Sequence, residues 1–487
     1  MKKIISIIIL SAFTGIITSC TNWLEHTPYD QVPGDELYAT ESGAQEALNG
    51  LYLGLLSRNL YGGELTVGMI EALSMHYYVP EDHKYDELVS FEYSTSGSKS
   101  YFLNIWKGMY KLIAECNVFL ANIEENRSNY DEDNYNLYRG EAIALRTFLH
   151  FDLFRMFAPV WSEENKSQRA ISYYDREVEQ PTAYLTVEEL AQQLLTDIDE
   201  AIALLANDPI LENTDYVSQG ETFWDFRNFR FNIYAAYALK ARMCLTTGDK
   251  TTAYNIATAL LESRFPEGES NNFANIFPSV LDAPEDDPIG YTEMLFGMHD
   301  INRKDMYDTY FSTELQPTSV CAVSEARHSE LFPLAQDIRR NNFASASSIS
   351  EATPLMSITK YQEQEAHTAD DLLYRYDIIP LIKKGELYLI AAEATDNETE
   401  KQHWLEELRL TRGYFENNVS GDLNQLVEEE YEREFYAEGQ YFFYLKRNGI
   451  TTLPDPSASD ASSTQTVSAS YYVFPIPEEE TNNRTDN

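Results

Sequence analysis

The spacing of apolar residues along this chain predicts helices, most strongly over residues 140–157, GEAIALRTFLHFDLFRMF. Leu145, Phe148 and Leu149, and again Ala144, Phe148, Phe151 and Phe154, recur at steps of three and four, the period of one helix face. The apolar face is wide, so this helix is expected to be largely buried. Ala142 and Ala144 are small enough to admit a close neighbour. Arg146, Asp152 and Arg155 place charges inside the apolar run. Buried charge is costly unless paired, so partners on adjacent helices are expected. Ala158-Pro159 ends the helix, because proline lacks an amide donor and biases its predecessor away from the α region. The pattern describes a scaffold helix, not a catalytic one.

The same reading predicts helices from Ser42 onward, then over residues 64–74, 106–123, 186–205, 228–247 and 251–263, the last two joined by the turn Gly248-Asp249. Ala235, Ala238, Ala253 and Ala257 sit where a tetratricopeptide helix–turn–helix carries small contact residues, and stacked pairs of that kind build a solenoid. Residues 264–375 lose the period, with short strands expected at 294–298 and 359–361. Helices resume over 378–395, 401–411 and 423–438. A Ser-rich stretch, 457–470, reads as a loop. The predicted fold is mainly α: a tetratricopeptide-like helical-pair scaffold (an α-α superhelix) with a loop-rich subdomain and a few short strands. Its segments are a leader, 1–19; a leash, 20–41; a helical N-terminal region, 42–263; a loop-rich binding subdomain, 264–375; C-terminal helices, 376–449; and a closing segment, 450–487.

Composition changes this picture in three places. The formal charge is −43 over 487 residues; such a surface repels phosphate backbones and argues against a nucleic-acid partner. Tyrosine is abundant, 34 against 5 Trp, and suits both half-buried packing and ligand contact. The N-terminus has Lys2 and Lys3 before an apolar run from Ile4 to Ile17, then Thr18-Ser19-Cys20. That is a secretory signal, and a cysteine at its end resembles a bacterial lipobox, making Cys20 the lipidation site. Two or three acyl chains there would anchor firmly. Cys116, Cys244 and Cys321 are far apart and form no CxxC motif. Cys116 and Cys244 fall in helical patterns and read as buried thiols.

Several motifs in order resemble the SusD/RagB family of outer-membrane nutrient-binding lipoproteins. They are the lipobox followed by Leu24 and Pro28; Asn49-Gly50-Leu51-Tyr52; Trp106 and Tyr110 followed by Asn117; Leu145–Leu153; Glu386–Ala394; Glu432-Arg433-Glu434-Phe435 with Glu438-Gly439; and Phe474-Pro475-Ile476-Pro477. Gln440 and Tyr444 stand where the family usually has Arg and Asp, and residues 300–375 have no clear counterpart. The resemblance implies a tetratricopeptide-like body on the outer surface of a Gram-negative cell, lipid-anchored in the outer membrane. It implies a TonB-dependent SusC-like barrel as partner and an oligosaccharide as ligand, or a peptide as in the RagB branch, with no bond made or broken and no cofactor.

The residues themselves offer no catalytic constellation. Gly-x-Ser-x-Gly, His-Glu-x-x-His and Walker motifs are absent from the sequence. Asp131-Glu132-Asp133-Asn134 starts like a calcium loop but lacks its glycine and later glutamate, so no metal site is expected. His328 and His403 read as surface residues. Trp106 and Trp161 flank helices and read as core. Aromatic loop residues are the ligand candidates: Tyr77, Tyr78 and Tyr85 in residues 75–100, and Tyr307 and Tyr310 in the later irregular region. A ring and a hydroxyl together can meet a sugar face or a peptide side chain. Two other classes stay open: a secreted hydrolase with a helical body, which would need a catalytic dyad in residues 264–375 where none is seen, and a lipid-anchored scaffold that binds only protein.

Overall fold

The computed structural model describes residues 34–178, 180–213, 222–279, 289–346, 353–363, 377–414, 419–458, 460–482 and 484. Cys20, Leu24 and Pro28 lie outside them. Helices dominate: α1 (Glu41–Leu55), α2 (Met69–Leu73), α3 (Ser96–Glu125), α4 (Glu132–Phe157), α5 (Val187–Leu204), α6 (Ile233–Thr246), α7 (Lys250–Leu261), α8 (Arg303–Tyr310), α9 (Glu325–Leu331), α10 (Lys384–Ala394), α11 (Glu398–Leu410), α12 (Leu423–Glu434) and α13 (Tyr441–Asn448). Their starts are written in the sequence. Thr95, Asp131, Thr186, Asn232, Asp249 and Asp422 each cap a helix by accepting a backbone N–H from the first turn, and Thr186 with Glu189 completes a capping box. Asp131, the start of the calcium-like run, is the cap of α4, its Oδ1 accepting from the Asn134 amide at 2.9 Å.

Neighbouring helices pack in succession: α3 on α4, α4 on α5, α5 on α6, α6 on α7, α7 on α10, and α10 on α11 and α12. This is the tetratricopeptide-like stacking of helical pairs. Helix α4 is its axis, and every residue from Gly140 to Phe157 is buried. The charges inside it have the partners that burial demands. Arg146 donates to Asn117 Oδ1 at 2.9 Å, Asp175 O at 2.8 Å and Asp197 Oδ2 at 3.2 Å. Asp152 pairs with Arg155 and accepts from Tyr61 at 2.7 Å. Arg155 also donates to Gln440 Oε1 at 3.0 Å, so the glutamine in place of the usual arginine meets an arginine from α4.

The strands are β1 (Arg169–Ser172), β2 (Tyr184–Thr186), β3 (Met294–His299), β4 (Ala322–Ser324), β5 (Phe343–Ala346), β6 (Leu355–Ile358), β7 (Ile378–Lys383), β8 (Thr452–Pro454) and β9 (Thr464–Thr466). All their pairings are antiparallel: β1 with β2, β3 with β7, β8 with β9, and β6 between β4 and β5.

Four local expectations differ from the structure. Residues 64–74 are helical only at α2, because Gly62, Gly63 and Gly68 build a tight turn first; a Cβ at Gly62 would lie 2.0 Å from Leu56 O. Residues 378–383 form β7, not helix, and the run Ile-Ile-Pro-Leu-Ile-Lys is fully buried. Pro380 in it cannot continue a helix. The strand expected at 359–361 lies just upstream as β6. His328 is buried, its ring 4.6 Å from that of Phe343, whereas His403 is exposed.

A buried ionic network ties the irregular middle of the chain to the C-terminal helices. Arg412 holds Glu293 and Glu434, Arg339 holds Asp337, Glu430 and Glu434, and Lys360 and Lys383 share Glu438. Each ion would be costly alone and is retained because it is paired. The arginine and lysine partners hold the Glu434 carboxyl far below its ordinary range despite its burial. Glu434 and Glu438, motif residues in the sequence, are therefore anchors of the fold.

Candidate functional site

Residues 75–91 connect α2 to the approach of α3, with one four-residue helical turn at Asp86–Val89. Met75, Asp82 and Phe91 have φ of 59°, 66° and 61°, three of the six non-glycine residues with positive φ among the described residues. Each such residue costs about 1–2 kcal/mol and persists only where its surroundings over-determine it. The surroundings here do so. Tyr78 N donates to Ala322 O and Val79 N to Pro456 O, both at 2.7 Å, and Lys84 N donates to Thr318 O at 3.0 Å. His83 Nε2 lies 3.2 Å from Val320 O while its Nδ1 accepts from Tyr85 N, which puts the proton on Nε2. Burial pushes this histidine down to about 4.

The segment meets two others at a narrow cleft. Its walls are His76 and Tyr78, then Ser324 and Arg327 at the junction of β4 and α9, then Asp455 and Asp460 between β8 and β9. His76 is clamped at its base. Its ring stacks on Tyr436 at 4.5 Å and on Tyr441 at 5.1 Å, and Nδ1 lies 2.5 Å from Glu71 Oε2. Glu71 in turn accepts the backbone amides of Ala437 and Gly439. Gly439, at φ 74°, is required there, since a Cβ would lie 2.2 Å from Leu65 O. Arg327 donates to Glu330 at 2.6 Å and to Glu432 at 2.5 Å, and the Glu432 carboxylate foremost holds its guanidinium above the ordinary range.

The five tyrosines singled out from sequence divide sharply. Tyr78 is half-buried, lines the cleft and packs on a small satellite core of Val320, Ala322, Ala346 and Leu355. The other four are buried. Tyr77 donates to Val67 O at 2.7 Å. Tyr85 and Tyr310 converge on one carboxylate, donating to Glu64 Oε2 at 2.8 Å and Oε1 at 3.0 Å, with the Lys84 ammonium over both rings. Tyr307 packs near Phe311. Loop position alone does not expose a ring: the hydroxyls of Tyr77, Tyr85 and Tyr310 satisfy buried acceptors, and all four rings are buried.

One aromatic that sequence reasoning passed over is Phe91. It is 41% exposed, and its ring is braced by Tyr93, edge-on at 4.8 Å, and by the tilted ring of Tyr471 at 5.9 Å. Tyr93 donates to Tyr471 O, and Tyr471 to Leu73 O. An exposed ring on a left-handed residue, fixed from behind, is a platform. The available signal was an aromatic between the polar residues Ser90 and Glu92, just ahead of the Thr95 cap. Elsewhere, Trp106 is core and Trp161 is half-buried. Among the described residues no cluster of three or more metal-ligating side chains occurs, and no helix is long and apolar enough to cross a membrane.

Comparison with known proteins agrees with this architecture. A SusD-like family, described as "Starch-binding associating with outer membrane", matches residues 22–245. SusD-like protein P38 of Formosa agariphila is 27% identical over 193 residues, 38% of this chain and 34% of that protein, so the match spans about a third of the relative's length. Among solved structures, a SusD superfamily protein from Bacteroides thetaiotaomicron superposes with a TM-score of 0.68 at 18% identity, over 91% of this chain and 98% of the other. A SusD-like carbohydrate binding protein from Bacteroides vulgatus gives 0.65 at 19%, over 91% and 96%. Surface glycan-binding protein A from Bacteroides thetaiotaomicron, in complex with laminarihexaose, gives 0.62 at 17%, over 91% and 97%. At these identities the superpositions speak for the fold.

Proposed function

We propose that this chain is a member of the SusD/RagB family that captures oligosaccharides at the cell surface and delivers them to a TonB-dependent SusC-like barrel. In this reading Cys20 carries the lipid that holds it to the outer membrane, and the protein makes and breaks no bond. Capture raises the local ligand concentration at the transporter mouth, the advantage of any tethered binder. The observation that carries the proposal is the segment 75–91: three residues held in a disfavoured conformation, cross-linked to the β4 and β8 regions, and presenting Phe91 and Tyr78. Rigid presentation of a binding surface reduces the ordering cost of association. A sugar's C–H face suits the exposed ring of Phe91, and sugar hydroxyls suit the carboxylates of the cleft.

The test is calorimetric titration with neutral oligosaccharides, laminarihexaose first, and with mixed peptides. Saturable heat with a glycan supports the proposal. Binding by peptides alone transfers the protein to peptide capture. Silence in both series refutes small-ligand capture and leaves a protein-binding scaffold.

A further inference from the structure

The charges around the cleft go one step further, resting on the glycan-capture reading. The cation lining it is Arg327, and its charge is already paired: one terminal nitrogen donates to Glu330 and the other to Glu432. Two more carboxylates, Asp455 and Asp460, also line the cleft. Asp460 is satisfied by the amides and hydroxyls of Ser462 and Ser463. Among the described residues Asp455 engages only Oδ1, with Ser457. The cleft thus carries one guanidinium, already paired with two carboxylates, and two further carboxylates, within a chain whose formal charge is −43.

From this we infer that the site is selective for uncharged oligosaccharides and excludes glycans bearing uronate or sulfate groups. A neutral sugar brings hydroxyl donors, which carboxylates accept. An anionic sugar brings a like charge into a partly desolvated cleft, where it finds no unpaired cation and where repulsion is screened less than in open water. Selectivity of this kind arises from what the site repels as much as from what it holds.

The experiment compares one gluco-oligosaccharide with the same oligosaccharide oxidised at C6 to the uronate, titrated into the protein at low and at 0.5 M salt. The expected result is at least tenfold weaker binding of the oxidised form at low salt, with the gap narrowing at high salt. In D455N, with folding checked by circular dichroism, the ratio between the two ligands should narrow as well. Equal or tighter binding of the uronate at low salt overturns the inference while leaving glycan capture intact, as does a preference that D455N and salt both fail to move. Silence toward both ligands overturns the capture reading and this inference with it.

Discussion

His83 offers the sharpest quantitative consequence of the way the 75–91 segment is fixed. Its ring is buried and neutral, bridging Val320 O and Tyr85 N, and burial foremost, with Lys84 adding to it, pushes it from 6.5 down to about 4. The unfolded chain therefore binds the proton more readily between those values. Stability is complete above about pH 6.5 and is lost as pH falls toward 4, because protonation favours the unfolded form. A gap of roughly 2.5 pH units corresponds to about 3 kcal/mol at the acid limit, of which about 2 kcal/mol has gone by pH 5. Other buried groups contribute; His150, pushed down to about 3, acts in the same direction. The assay is therefore a difference: urea unfolding of the wild type and of His83→Gln at pH 7.5 and pH 5. The variant should lose about 2 kcal/mol less than the wild type across that interval. Parallel losses in the two proteins would refute the assignment of His83 as a buried neutral bridge.

Other consequences follow from single contacts. Glu386→Gln leaves Arg242, paired bidentately at 2.6 Å to both carboxylate oxygens, as an uncompensated buried charge; a loss of about 3–5 kcal/mol in urea unfolding is expected. Gly439→Ala forces a Cβ against Leu65 O at φ 74° and should cost more than about 1 kcal/mol, read as a lowered melting temperature. Phe91→Gly removes the ring and relieves its left-handed strain, so glycan affinity should fall about tenfold, or about 1.4 kcal/mol, without loss of thermal stability. Tyr85→Phe leaves Glu64, already raised by burial, without one of its donors and should destabilise the protein by about 1 kcal/mol with little effect on glycan affinity.

Much of the scaffold could be read from residue spacing, because α4 and its neighbours follow a helical period and begin at recognisable caps. The period is missing from short runs that are apolar at every position. The run at 378–382 is apolar throughout, and such a run does not distinguish a buried strand from a buried helix; only the pairing of β7 with β3 decides it. Charges show that partners must exist without showing which. Glu71 finds the amides of Ala437 and Gly439 across most of the chain, a pairing that no local pattern encodes. The site follows the same logic. The stretch 75–100 was visible as aromatic and irregular, but which rings face outward depends on distant acceptors. Glu64 draws Tyr85 and Tyr310 inward, Val67 O takes Tyr77, and Phe91, on a left-handed backbone and braced by Tyr93 and Tyr471, keeps part of its ring at the surface.

Phe91 and Tyr78 carry the proposed glycan contacts. A crystal structure of the protein with laminarihexaose tests this most directly. The expected result is the glycan seated on Phe91 and along the cleft bordered by Tyr78 and Asp455. A glycan ordered on the helical body instead, with Phe91 and the cleft empty, would contradict it.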